Sequence, residues 1–510
     1  MTARVQFNTM TTANLLFKSS IARTSLTILS IIISFFMMPF LVGKLGDEWY
    51  GIWTVLGSLI GYYYLVDFGL ATAVTRYITQ YISKNDKDNA NSVINTALVI
   101  YSAMALAICI ITITVSYFVH YFVPNARDLF IIRVAILIMG FNLAIEFPFK
   151  AFAGIIGAYV RYDLITYAHI FTLLLSTALI VILMNLGYGI IALSIIGFIC
   201  SQISNIIFYF ISKYLFSDMQ ISRKFFRKDK VKELFGYSVW SFLIQIGDQM
   251  RFRIDSIVIA WMLTAGHVTH YFIGARLAEY FLTLLYRATN ILTPVFTKYH
   301  AENNYQEIRS KLLFVTKINN ILSLFGGGLI IIVGRPFISK WMGDNYLDAY
   351  PVLVVLIIAM IIEAIHNPSN NVLYAIAKHR YIATVGTFEG IINFILSLVL
   401  IQYYGILGVA IGTAIPLIVS RLFLLPLYTC KCIGLPIAQY YSNLFVTTLF
   451  TITYLGLFYM LAKDIIIPQY MAIVVASLSA LPVYFFCIFF VSFNRSERIL
   501  LRSLLPSKLH

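Results

Sequence analysis

A polytopic, all-α membrane protein is predicted, and three observations carry the prediction. Of 510 residues, 60% are hydrophobic and only 12% are charged, where a soluble chain carries about a quarter charged residues. The mean hydropathy is +0.85. Apolar runs recur along the whole chain, each at or above the roughly 18 residues that cross a ~30 Å hydrocarbon core. The runs are continuous rather than alternating, which disfavours the ~10-residue strands of a membrane β-barrel.

Taken in order, fourteen spans are expected. The first two lie at about 22–43 and 49–72, the next pairs at about 93–119 and 130–152, then 164–186 and 189–212. A basic segment, Lys213 to Lys232, follows. Beyond it come spans at about 235–262, 271–293, 316–334, 350–375, 382–402 and 406–428, and two more at about 442–462 and 469–492. The polar residues ahead of the first run, with no small-residue cleavage site after it, fit an uncleaved first span rather than a signal peptide.

Charge tests this topology. The formal net charge is +15, which in a membrane protein reflects the positive-inside bias rather than nucleic-acid binding. Counted over alternate loops and the two ends, 26 Lys and Arg fall on one side and about 6 on the other, and five arginines fall inside spans. Both termini are therefore expected in the cytoplasm.

The two halves also resemble each other. Thr75-Arg76-Tyr77 matches Thr297-Lys298-Tyr299 at a shift of 222, and Arg161-Tyr162 matches Arg380-Tyr381 at 219, as Gly189 does Gly408. The shift corresponds to six spans, so the halves run in the same direction, an arrangement common in transporters. The expected division is an N-terminal lobe at 1–212, a cytoplasmic linker at 213–233, a C-terminal lobe at 234–430, and two extra spans with a basic tail at 431–510.

Residues 245–287 are the energetic anomaly. They are apolar enough to cross twice yet hold Asp248, Arg251, Arg253, Asp255, Arg276, Glu279 and Arg287. Each charge at mid-membrane costs about 2.5–3.5 kcal/mol on insertion scales, so these side chains are expected to face a wet or paired interior. At 100° per residue, Asp248, Arg251 and Asp255 share one helix face and Arg253 points elsewhere. Arg276, Glu279 and Arg287 share an arc of the next helix. Ion pairing accounts for the acids, Asp248 and Asp255 with Arg251 and Glu279 with Arg276, but four arginines face three acids. Elsewhere, Asp67 ends span 2, where a helix-end interaction with Arg76 or a backbone terminus is expected, and Glu146, Glu363 and Glu389 lie within spans 4, 10 and 11. Carboxylates held in a low-dielectric interior bind protons more readily, which suits ion coupling.

Other chemistry is scarce. Five cysteines in or beside apolar segments, an odd number, argue against a disulfide framework. Cys430-Lys-Cys432 and His267-Val-Thr-His270 each lack further ligands, so neither metal nor cofactor is expected. The aromatic residues, Tyr62-Tyr63-Tyr64 among them, fit interfacial belts and packing. Phe225 to Lys232, basic and partly apolar, is expected to lie on the anionic inner leaflet.

Gly46-Asp47-Glu48-Trp49-Tyr50-Gly51-Ile52-Trp53, Leu65-Val66-Asp67-Phe68-Gly69-Leu70 and Thr75-Arg76-Tyr77 resemble the first hairpin of Wzx-type polysaccharide (O-antigen) flippases. That is the polysaccharide transporter branch of the MOP superfamily, which includes the MATE exporters. Phe152 to Tyr162 and Asp255-Ser-Ile-Val-Ile259 fit the same pattern. The resemblance spans the first twelve helices, and the two extra spans are usual for flippase branches. It implies a MATE-like bundle of two six-helix lobes around a central cavity in the cell (cytoplasmic) membrane. It also implies transfer of an undecaprenyl-diphosphate-linked oligosaccharide to the outer leaflet by alternating access, coupled to an ion gradient. Polysaccharide polymerases and glycosyltransferases are the partners this implies.

With that cargo, guanidinium forks suit the diphosphate. Arg251, Arg253 and Arg287 are the expected ligands, with Arg276, near a helix end, a lesser one. Asp67, Asp248, Asp255, Glu279, Glu146 and Glu363 are expected in ion coupling or structural pairing. Two rival readings are a MATE-like drug or cation antiporter, which a cationic cavity disfavours, and a membrane glycan polymerase or ligase, which the short outer loops disfavour. No enzymatic activity is expected.

Overall fold

The computed structural model describes residues 9–466 apart from 125, 127 and 290–292, together with 481–490, 493 and 497. Side chains at 9–13, 16, 236–248, 250–252, 287–289 and 461–466 lie outside this description. Three expected site residues, Asp248, Arg251 and Arg287, fall among them.

The described residues form helices joined by short turns, with no strand among them. In order these are α1 (Thr9–Tyr63), α2 (Leu70–Ser83), α3 (Lys87–Phe118), α4 (Leu129–Ala158), α5 (Tyr162–Asn185), α6 (Ile190–Leu215), α7 (Lys228–Met262) and α8 (Ala265–Thr289). They continue as α9 (Thr293–Ala301), α10 (Tyr305–Trp341), α11 (Ala349–Ala375), α12 (His379–Tyr404), α13 (Ile406–Val419), α14 (Leu425–Ile433) and α15 (Ile437–Ile466). A last apolar helix, α16, is Leu481–Phe490.

Among the described residues, ten helical segments are long and apolar enough to span a membrane. The first holds two spans, because Gly46 breaks α1 with φ 77° and ψ 168°, a conformation glycine adopts without a Cβ penalty. The charged helices α7 and α8 stand at expected spans 7 and 8, and α16 falls within the fourteenth. The fold is the expected multi-pass helical one.

Several helices extend beyond the expected spans, α1, α3 and α7 among them at their N-terminal ends, and two boundary differences have a clear local cause. Span 2 stops at Tyr63 rather than near 72: Tyr64–Asp67 form a 3-10 turn, then Phe68 and Gly69 turn left-handed at φ 49° and 74° before α2 begins. The glycine admits that turn, and the polar Asp67 finds its partner there. Span 9 is longer than the apolar run 316–334, since α10 runs from Tyr305 to Trp341. Its extra turns carry charged residues and are set by packing rather than by hydropathy.

The chain divides into two compact units, Met1–Thr269 and His270–His510. This division by compactness puts α7 in the first unit, whereas the repeat groups span 7 with the second half. In the first unit α2, α3, α4 and α6 enclose a core containing Leu70, Val74, Ile94, Tyr101, Phe147 and Ile155. In the second, α10, α15 and α16 bury Ile321, Phe325, Leu455 and Tyr484, while α11, α12 and α13 pack against one another.

The repeat is written into the backbone. Positive φ recurs at Asn85 and Asn303 (57° and 52°), Val160 and Ala377 (59° and 57°), and Gly187 and Gly405 (85° and 57°). Read from their numbers, the spacings are 218, 217 and 218 residues. After the first pair, Asp86 and Asn304 each cap the next helix, accepting from Asn89 N at 3.0 Å and Glu307 N at 3.2 Å, as N-cap side chains do. Positive φ is uncommon outside glycine, so two non-glycine pairs at nearly one offset, with a glycine pair beside them, mark two copies of one helical plan.

The linker between α6 and α7 is pinned to α3. Asn91 donates to Asp218 O at 3.1 Å and accepts from Gln220 N at 2.9 Å. Asn95 does the same for Gln220 O at 2.7 Å and Ser222 N at 2.9 Å. Thr96 accepts from Arg227 N at 3.2 Å. The two amides, one helical turn apart, thus satisfy the linker backbone from 218 to 222, leaving Arg223, Lys224, Arg227 and Lys228 exposed.

Candidate functional site

In the first unit a group of charged and polar side chains gathers around α4. Glu146 and Lys150 are four residues apart, so they share a helix face. Lys150 Nζ lies 3.5 Å from Asp67 Oδ1, 3.9 Å from the centre of the Phe147 ring and 5.1 Å from that of Tyr64. The cation is held between a buried carboxylate and aromatic faces that attract it. Asp67 therefore pairs with Lys150, correcting the expected helix-end interaction with Arg76. The two acidic and basic positions are 83 residues apart, so only the fold brings them together.

Beside this pair, Ser201 Oγ donates to Glu146 Oε2 at 3.5 Å. Gln202 donates to Asn142 Oδ1 at 2.8 Å and accepts from Asn205 at 3.1 Å. Glu146, Lys150, Ser201 and Asn205 border a cavity of about 540 Å³, whose lining also includes Tyr64 and His169. Within apolar spans such a set of donors, acceptors and ring faces suits a hydroxyl-rich ligand: each amide, hydroxyl and carboxylate bonds a sugar hydroxyl, and the rings cover its apolar face.

Arg253 lies elsewhere in the same unit, against α1. Its Nη1 donates to the Gly57 carbonyl at 3.3 Å. Its side chain fills the space a Cβ at Gly61 would need, since such an atom would come within 2.5 Å of Arg253 Cδ. The seam continues through Ser256 Oγ, which donates to Ser58 Oγ at 2.7 Å, and Thr269, which donates to Asp47 O at 2.7 Å. Asp255, two residues from Arg253, is buried. Arg253 is thus seated in a glycine groove rather than projecting freely.

Arg276 Nη1 donates to Glu279 Oε2 at 2.7 Å, the pairing expected from their spacing. The two side chains keep 32% and 54% of their exposure, and Arg276 also stacks over Phe272 at 4.3 Å. A pair so exposed contributes only about 0–1 kcal/mol.

In the second unit, Glu363 of α11 receives Tyr286 Oη from α8 on one oxygen and Arg421 Nε on the other. Arg421 stands in a π-turn, Ser420–Leu424, between α13 and α14. Its Nη2 lies 3.7 Å from Glu389 of α12, whose Oε2 also accepts from Ser420 Oγ at 2.8 Å. All three charged side chains are at most 4% exposed. Sequence reasoning named Glu363 and Glu389 but gave Arg421 no role. The signal was present, since an arginine in an apolar run must find an acid, yet which acid depends on helix packing.

A family model described as "Polysaccharide biosynthesis protein" matches residues 45–351. The chain is 22% identical over 413 residues to the uncharacterized membrane protein EpsK of Bacillus subtilis, covering 80% of this chain and 81% of that one. It is also 22% identical to a Shigella flexneri protein provisionally named an O-antigen transporter, covering 78% and 93%. Among solved structures, the lipid II flippase MurJ superposes with a TM-score of 0.70 at 16% identity, over 92% of this chain and 99% of that one. A multidrug resistance MATE family transporter of the MOP superfamily gives 0.66 at 15%, over 81% and 98%.

Proposed function

This chain belongs to the polysaccharide biosynthesis protein family, and we propose that it is a flippase for an undecaprenyl-diphosphate-linked oligosaccharide. The cargo moves from the inner to the outer leaflet by alternating access between two lobes, 1–212 and 234–430, joined by the linker 213–233. The observation that carries the reading is the polar cavity around Glu146 and Lys150, walled by membrane-spanning helices where a purely structural interior would be apolar. It offers a glycan what water offers it, while the lipid tail stays in the bilayer.

In this reading the diphosphate meets the arginines of residues 245–287. Arg253 is the first choice, with Arg251 and Arg287, because a guanidinium fork neutralises phosphate oxygens bidentately. Its hydrogen bond to a backbone carbonyl leaves its charge uncompensated by that contact. Arg276, half exposed and paired, ranks last. The ion gradient acts through intramembrane acids, of which Asp67, Asp248, Asp255, Glu146, Glu279 and Glu363 are the candidates. The membrane is the cytoplasmic one, with both termini inside, as the 26-to-6 excess of basic residues supports. Partners are glycosyltransferases that build the cargo and a polymerase that consumes it, and the protein itself catalyses no bond change.

A MATE-like cation exporter would use Glu146 as its cargo's counter-ion. Lys150, one helical turn away on the same cavity wall, opposes that use. Equilibrium binding by the purified full-length protein separates the two. The reading expects saturable binding of a lipid-diphosphate oligosaccharide that Arg253→Ala weakens, and none of a quaternary ammonium compound. The reverse order of affinities would reject it.

A further inference from the structure

We propose that a groove on the second unit, between the start of α12 and α14, holds one anionic phospholipid. Its phosphate meets Lys431 and an acyl chain runs along Leu424 and Leu427. The proposal goes beyond the transport reading and needs only that these helices lie in a bilayer.

The groove has a volume of about 510 Å³. Its lining is apolar or aromatic apart from Lys431 and the thiol of Cys430, and none of the described residues lining it is acidic. Leu424 and Leu427 are 42% and 47% exposed, so the groove opens along a span, where the surroundings are lipid. That span is expected to end near 428, which puts Lys431 just past the hydrocarbon, at the depth of the headgroups. Hydrocarbon walls with a cation at one end match a phospholipid whose headgroup carries net negative charge.

The floor is built before any lipid arrives. Tyr381 and Tyr428 stack with ring centres 3.8 Å apart and planes 13° from parallel. Tyr381 Oη donates to the Leu424 carbonyl at 3.2 Å, at the end of the π-turn. These contacts fix the start of α12 against α14, so the ordering cost of binding falls mainly on the lipid.

The cation is available. Among the described residues the Lys431 side chain is exposed and makes neither hydrogen bond nor ion pair. It stands in the last turn of α14, where a helix end carries partial negative charge that would repel a phosphate. Arg309 offsets that charge, its Nε donating to the Ile433 carbonyl at 2.6 Å. Lys378 and Arg380, both exposed, stand on the turn just before Tyr381 and add positive charge at the start of α12.

The first copy of the repeat shows the alternative. Tyr162 and Tyr209 stand 219 residues before Tyr381 and Tyr428, and Lys213 stands 218 before Lys431. There the protein covers itself. Arg23 lies over the Tyr162 ring at 4.2 Å, and Tyr209 packs edge-on against Phe152 at 5.2 Å. Lys213 Nζ donates to the Met219 carbonyl at 3.2 Å. In the second copy the tyrosines stack on each other at the groove wall, and the corresponding lysine is left for a ligand from outside the chain.

Fluorescence quenching in bilayers tests the proposal at the groove itself. The full-length Leu427→Trp protein is reconstituted with brominated phosphatidylglycerol or brominated phosphatidylcholine, and wild type gives the background of its five native tryptophans. The added fluorescence should be quenched with a relative binding constant about fivefold in favour of phosphatidylglycerol, the effect of one lysine at the membrane surface. Adding Lys431→Gln should bring that ratio close to one. Adding Lys84→Gln, an exposed lysine of the first unit, should leave it unchanged. Leu424→Trp serves as the reporter if Leu427→Trp does not fold. Equal quenching by the two lipids would overturn the proposal, as would a preference that Lys431→Gln leaves intact or that Lys84→Gln lowers as much. Displacement by a polyprenyl diphosphate far more readily than by unlabelled phosphatidylglycerol would assign the groove to the cargo and overturn it too. A chain that passes these tests yet flips no lipid would contradict the transport reading alone.

Discussion

Arg421 and Glu363 form an ion pair sealed inside the second unit, their side chains 4% and 3% exposed. They are 58 residues apart, on different helices, so the pair ties α11 to the π-turn. Removing one partner strands the other charge in a low-dielectric site, at a cost of about 3–5 kcal/mol. Arg421→Ala is therefore expected to lower thermal stability markedly, and Arg421→Ala with Glu363→Gln to recover part of the loss. Melting curves in a single detergent compare the two, and equal stability of Arg421→Ala and wild type would refute the pairing.

Arg253 owes its position to the missing side chain at Gly61. A methyl group there would stand within 2.5 Å of Arg253 Cδ and Nε, so Gly61→Ala must push the arginine out of its groove. Overpacking of this kind costs about 1–3 kcal/mol. Gly61→Ala is expected to destabilise the protein and to weaken cargo binding as Arg253→Ala does. A Gly61→Ala protein with wild-type stability and affinity would show that Arg253's seat does not matter.

Outside the spans, Asp86 caps α3, and hydrogen bonds from the Asn89 side chain and backbone hold its carboxyl below the ordinary value of 3.8. The folded state then binds this proton less readily than the unfolded one. The contribution is present above pH 3.8 and is lost as pH falls through the lowered folded value. Hydrogen exchange at the first turn of α3 should accelerate over that acid window in wild type. In Asp86→Ala it should be fast throughout, with no such acid step.

The amides on α3 give a fourth expectation. Asn95 makes two hydrogen bonds to the linker backbone, each worth roughly 1 kcal/mol. Asn95→Ala should therefore raise the population of the released linker roughly tenfold or more. Trypsin cleavage at Arg223 and Lys224 reports it, and unchanged cleavage kinetics would mean the linker is held by something else.

Much of the architecture was legible in the sequence because hydropathy and loop charge act over whole spans. The multi-pass helical class, the parallel repeat and the charged hairpin all follow from averages that tolerate local error. The repeat proved deeper than its matching residues, extending to left-handed turns at Asn85 and Asn303. What stayed hidden depends on contacts between helices distant in sequence. Asp67 meets Lys150 and not the nearer Arg76, because the turn at Phe68 and Gly69 redirects the chain between Asp67 and α2. Arg421 drew no attention as a lone charge, although its acids lie on two neighbouring helices. Arg276 and Glu279 were foreseeable, being three residues apart on one helix. Arg253 was expected to point away from Asp248 and Asp255, but its glycine groove on α1 lies 196 residues upstream and left no local mark.

The central claim is leaflet transfer, and proteoliposomes test it most directly. A fluorescent lipid-diphosphate oligosaccharide is placed in both leaflets, and its access to an external quencher is followed over time. The account predicts protein-dependent transfer, slowed about tenfold or more by loss of the guanidinium's phosphate contact in Arg253→Ala with the fold intact. Transfer no faster than in empty vesicles, from correctly folded protein supplied with an ion gradient, would contradict it.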